Sequence, residues 1–131
     1  MTVFEPPPDL SLPLGREPTA PRQARAGIRR LLGDRVSPDF AEDAQLLTSE
    51  LVTNAVMYTP SGCSLSAWYV DDQRALRVEV ADEASDIPRV RPPSAPSHVG
   101  GRGLQLVASR STNWGVVPNG GGKSVWFELR S

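Results

Sequence analysis

The stretch from Ser37 to Thr59 constrains this chain most. Phe40, Ala44, Leu47, Leu51, Ala55 and Tyr58 recur at three- and four-residue steps, which is one face of a helix. Ser37-Pro38 or Asp39 gives the start signal, and Pro60-Ser-Gly62 marks the stop. Glu50 and Asn54 stand four residues apart and so stack one turn above the other. They fall on the edge of the apolar face, and Asp43 and Met57 share that edge. A carboxylate and a carboxamide side by side at the rim of a core suit a metal-and-proton site. The amide oxygen can join a magnesium shell, because hard cations take oxygen ligands. The carboxylate can take a proton or orient a nucleophile. The plainer reading is an ordinary Glu and Asn at a helix border, since Glu is a good helix former. Asn gains little in mid-helix, so its presence asks for a reason.

Composition bounds the rest. With 131 residues, 39% of them apolar, the chain has material for one domain and one core. The net charge is −1 and the basic residues are dispersed, which argues against direct nucleic-acid binding. No apolar run approaches the roughly 18 residues of a membrane span. Met1 to Asp9 has neither the basic nor the apolar region of a signal peptide. The one cysteine, Cys63, cannot form an internal disulfide. No histidine or base adjoins it in sequence, so it reads as structural or indifferent, and a reducing cytoplasm is the expected compartment.

Taken in order, residues 1–9 are a Pro-rich tail, expected to be extended and flexible. A single domain is expected over 10–131. Leu10, Leu12 and Leu14 alternate as a short strand that Pro13 places at an edge. Thr19 or Pro21 opens a helix to about Leu32, with Ala24, Ile28 and Leu31 inward and Arg22, Arg25, Arg29 and Arg30 outward. These arginines read first as a solvated face and second as a docking surface. After the Glu50 helix, Leu65, Ala67 and Tyr69, a turn at Asp71–Arg74, and Leu76, Val78 and Val80 form a hairpin with one buried face. Residues 83–100 hold four prolines and no periodicity; so long an irregular segment in a small domain is more often functional than accidental. Leu104, Leu106, Val107 and Ala108 start a helix. Trp114 and Val116 form a strand, 118–122 a turn, and Ser124 to Leu129 a last strand. Two hairpins with helices inserted predict an α+β two-layer sandwich, a mixed sheet covered on one face by helices.

Two further features point at a nucleotide. Asp82 closes a strand, where a carboxylate can accept a hydrogen bond from an exocyclic amine such as that of adenine; a turn aspartate is the commoner reading of such a residue taken singly. Gly100-Gly-Arg-Gly103 leads into a helix, and glycine amides with a helix N-terminus suit phosphate. A short glycine cluster is a weak signal by itself. Gly120-Gly-Gly-Lys-Ser124 does not meet the Walker spacing and is followed by a strand, so it reads as a hairpin turn.

These motifs together resemble the GHKL (Bergerat-fold) ATPases, the superfamily of gyrase, MutL and histidine kinases. Glu50-x-x-x-Asn54-Ala55 resembles the N box, Asp82 the aspartate of the G1 box, and Gly101-Arg-Gly-Leu104 the G2 box. Gly122-Lys-Ser124 with the strand after it is similar to the last G box. Order and spacing agree from about residue 10 to 130. Within the superfamily the chain resembles the bacterial anti-sigma factor serine kinases. That resemblance implies Glu50 as general base, Asn54 as the Mg²⁺ ligand and Asp82 as the reader of the adenine amine. It implies Gly101, Gly103 and Leu104 around the phosphates, Ser124 on the adenine side, and residues 84–100 as an ATP lid. It also implies ATP and Mg²⁺ as cofactors, and an antagonist protein, a sigma factor or both as partners, and it leaves a homodimer open.

The family's G1 box usually runs Asp-x-Gly-x-Gly, whereas here it is Asp82-Glu-Ala-Ser-Asp86, with neither glycine. Tyr58 stands where these kinases often have a histidine, and His98 falls in the lid and reads as incidental. Two functions follow as expectations. One is an ATP- and Mg²⁺-dependent protein serine kinase acting on a small antagonist protein. The other is a non-catalytic module, nucleotide-bound or nucleotide-free, that sequesters a partner. A histidine kinase would need a phosphoacceptor helix pair and a mechanical ATPase a transducer domain; the sequence shows neither. The identities of sigma factor, antagonist and signal are not written in it.

Overall fold

A computed structural model describes residues 7–15, 17–58, 62–82, 105–118 and 122–131. The order is β1 (Leu10–Leu14), α1 (Ala20–Leu32), α2 (Pro38–Tyr58), β2 (Cys63–Val70), a 3₁₀ turn (Asp71–Gln73), β3 (Ala75–Asp82), α3 (105–110), β4 (Asn113–Pro118) and β5 (Lys123–Arg130). The strands form one sheet in the order β1-β2-β3-β5-β4. Every pairing is antiparallel. The two-layer α+β architecture is the expected one, but strand directions alternate throughout where a mixed sheet was expected. The physical reason lies in the connections. α1 and α2 together form an even excursion that returns the chain antiparallel to β1, and the segment between β3 and β4 ends in a hairpin whose second strand pairs with β3.

The local signals act as the sequence suggests. The Ser37 hydroxyl accepts from the Phe40 backbone N–H at 3.1 Å, capping α2 directly before Pro38. α1 begins after Thr19 with Pro21 in its first turn and ends at Gly33, whose N–H bonds the Arg29 carbonyl. Arg74, with φ 49°, closes the turn between β2 and β3.

The core forms between the helices and one sheet face. Leu65 and Ala67 of β2, Leu76, Val78 and Val80 of β3, and Phe127 and Leu129 of β5 are buried there. Ala24, Ile28 and Leu32 of α1 and Phe40, Ala44, Leu47, Leu51 and Ala55 of α2 meet them. Thr48 and Val52 are also fully buried, so the inner stripe of α2 is wider than the sequence periodicity indicates. Gly27 lets α1 close on β1: a methyl there would meet Leu12 Cδ1 at 3.1 Å and Leu10 Cδ2 at 3.2 Å. Val107 carries α3 into the same core. Asp9 extends the β1 edge, its N–H donating to the Ala67 carbonyl and its carboxylate accepting from Tyr69 N, each at 2.8 Å.

Candidate nucleotide site

The site is built on α2 and the ends of β3 and β5. α2 runs unbroken through residues 50–54, so Glu50 and Asn54 do lie one turn apart on one helix edge. Both are half-buried, flanked by buried Leu51, Val52 and Ala55. Among the described residues, neither side chain is engaged in a hydrogen bond or ion pair with another protein group. Asp43, two turns earlier, is paired with Arg110 of α3 at 3.2 Å. That exposed pair holds α3 over α2 but is worth only about 0–1 kcal/mol.

Asp82 ends β3 on the helix-facing side. Alternation from Leu76, Val78 and Val80 sends its side chain to that face, and it is 4% exposed. A buried carboxylate needs partners, and β5 supplies them. The Lys123 backbone N–H donates to Oδ1 at 3.3 Å, and the Lys123 ammonium to Oδ2 at 2.9 Å. Cys63 is the cross-strand neighbour of Asp82 on β2. Burial, reinforced by the negative charge of Asp82, pushes the Cys63 thiol up to about 11.

The structure thus places Glu50 and Asn54 on one helix rim, and Asp82 on the sheet face that α2 packs against. Ser124 is buried and in register with Ala81, so by strand alternation its side chain shares the face of Ala81 rather than that of Asp82. Gly101, Gly103, Leu104 and the lid expected over 84–100 lie outside the described residues. Lys123 was not singled out from the sequence. The signal was available: counting back by twos from Leu129 and Phe127 through Val125 puts residue 123 on the inner face, beside the end of β3.

No group of three or more metal-ligating His, Cys, Asp or Glu side chains occurs among the described residues. Magnesium does not need one, because it keeps several waters and takes one or two protein ligands plus substrate phosphates. The amide oxygen of half-buried Asn54, with a carboxylate one turn away, is a donor set of that kind.

Comparison with known proteins gives the family and the fold. The sequence model of the histidine kinase-like ATPase domain matches residues 15–129. The chain belongs to that family, and it is an ATPase/kinase-type domain. No curated protein matches it significantly in sequence. Among solved structures, it is similar to the RsbU and RsbW domains of Rv1364c from Mycobacterium tuberculosis, with TM-score 0.70 and 22% identity over 96% of this chain. It is also similar to the blue-light activated histidine kinase EL346 of Erythrobacter litoralis (TM-score 0.56, 22% identity, 90% of this chain). The histidine kinase domain of that same protein gives a TM-score of 0.57 at 22% identity over 97% of this chain. These likenesses show the shared fold. The chain spans 32%, 42% and 65% of those three chains, respectively. No helix among the described residues is long and apolar enough to cross a membrane.

Proposed function

We propose that the chain is an ATP- and Mg²⁺-dependent protein serine kinase, an anti-sigma factor-like cytoplasmic regulator acting on a small antagonist protein. One observation carries the reading: a buried carboxylate at the end of β3 on the sheet face covered by α2, the helix whose rim bears Glu50 and Asn54. Asp82 would accept from the adenine amine, and Asn54 would offer its amide oxygen to magnesium. Bound magnesium would neutralise charge on the phosphates, which with positioning carries most phosphoryl-transfer catalysis. Glu50 would take the proton of the incoming serine hydroxyl as its oxygen attacks the γ-phosphorus and the bond to ADP breaks. Gly101, Gly103 and Leu104 would border the phosphates, with 84–100 as lid and Ser124 supporting the adenine side from behind β5, its side chain lying on the sheet face opposite Asp82. The anti-sigma context rests on the motif resemblance and on the fold shared with a chain that contains an RsbW domain.

A second reading, a binding module without chemistry, is favoured by the ammonium on Asp82 and the absent G1 glycines. Transfer of label from γ-labelled ATP to antagonist proteins of the same genome decides between them. The kinase reading expects Glu50→Gln to keep ATP affinity within a few-fold while transfer falls by about 10²–10⁴-fold, the usual contribution of a positioned base. A wild-type protein that binds a sigma factor yet never transfers label would leave only the module.

A further inference from the structure

We infer that Lys123 belongs to the base pocket and competes with the nucleotide for Asp82, so that an internal ion pair sets the affinity for adenine nucleotides. This rests on the nucleotide reading above and says what limits binding at that site.

Both oxygens of Asp82 are engaged from one residue. The backbone N–H of Lys123 holds Oδ1 at 3.3 Å, and its ammonium holds Oδ2 at 2.9 Å. The Lys123 side chain is 25% exposed and that of Asp82 only 5%. The lysine therefore sits between the carboxylate and solvent. Its direction is fixed by the ladder: Val80 faces Val125 and Val78 faces Phe127, with Phe127 fully buried. Slipping the strand by one residue would expose that set, so Lys123 cannot turn away from Asp82 by a change of register. What can move is the stem. A lysine ammonium on four methylenes can swing out to water, whereas the buried carboxylate stays.

An exocyclic amine arriving at Oδ2 must displace that ammonium. It replaces a charged donor by a neutral one, and charge-assisted bonds are roughly twice as strong as neutral ones. The difference corresponds to about tenfold in affinity. The backbone N–H on Oδ1 is untouched by the exchange, so the carboxylate stays aimed at the pocket whether or not the ammonium is in place.

The experiment is titration calorimetry of the 131-residue wild type, Lys123→Met and Lys123→Arg with Mg·ATP and with Mg·ITP, whose base carries a carbonyl in place of the amine. Lys123→Met keeps the stem and the backbone donor but removes the ammonium. It should bind ATP about tenfold more tightly and ITP no more tightly than wild type, while Lys123→Arg stays near wild type. If Lys123→Met melts too low to titrate, Lys123→Gln, which keeps a neutral donor, should show a smaller gain of the same sign. ATP binding that is unchanged or weaker in the neutral variants overturns the inference and leaves the nucleotide reading standing, as does an equal gain for ITP. If none of the proteins binds either nucleotide, the nucleotide reading falls and this inference falls with it.

Discussion

Asn54 is the residue whose chemistry and surroundings fit least well with a purely structural role. It is a poor helix former placed four residues from the end of a 21-residue helix, half-buried, with no protein partner for its amide among the described residues. Asp82 is the contrasting case, a carboxylate so buried that it must be satisfied, with Lys123 reaching both of its oxygens. Cys63, beside it on β2, gives a prediction that needs no ligand. Its proton is held more tightly in the folded chain, up to about 11 against a reference of 9.0, by burial first and the Asp82 charge second. The unfolded chain therefore releases this proton at lower pH than the folded one. The contribution is full below pH 9 and is lost as pH rises through the window from 9 to 11. Native protein at pH 8 should react with a thiol reagent far more slowly than urea-unfolded protein. Denaturant midpoints should fall between pH 9 and 11 more steeply than in Cys63→Ala. Equal labelling rates for folded and unfolded chains would show that the thiol is not where the structure puts it.

The elements follow from their sequence signals, and the gap between signal and structure is informative at each. The α2 stripe was legible from Phe40 to Ala55 because apolar residues at three- and four-residue steps can be buried only on a helix. Thr48 and Val52 were not, because a threonine beside an apolar stripe carries no sign of which side it will fall on. The β2–β3 hairpin was legible because alternation and the polar Asp71–Arg74 turn agree. The partner of Asp82 was not, because that contact joins residues 41 apart and depends on the β3–β5 register. The all-antiparallel sheet was missed because pairing order between separated strands is set by tertiary packing, and local pattern is silent on it. The entry to β2 carries its own constraint. Gly62 has φ +84°, and a Cβ there would collide with the Leu14 carbonyl oxygen on the neighbouring strand. Backbone strain and a clash with fixed backbone act together, so Gly62→Ala should cost about 2 kcal/mol or more. Urea denaturation followed by circular dichroism measures this; a loss below about 0.5 kcal/mol, the level of an ordinary surface change, would contradict the backbone conformation at Gly62.

For the whole molecule, a single core joins the helix that carries Glu50 and Asn54 to the sheet face on which Asp82 ends β3. α2 carries the groups expected to face the phosphates, and β3 and β5 carry those expected to face the base. The same apolar contacts that stabilise the domain hold Leu51 and Ala55 against the layer containing Val80 and Phe127. Rim residues can therefore be changed without dismantling the core. The most direct test of the account is calorimetric titration of wild type and Asn54→Ala with ATP, each with Mg²⁺ and with excess EDTA. Wild type should bind ATP in a Mg²⁺-dependent manner. In Asn54→Ala that affinity should be weaker by at least about tenfold, the scale of losing even an outer-shell metal partner, with an unchanged far-ultraviolet spectrum. Equal affinity of the two proteins for Mg·ATP, or wild-type binding indifferent to EDTA, would contradict it.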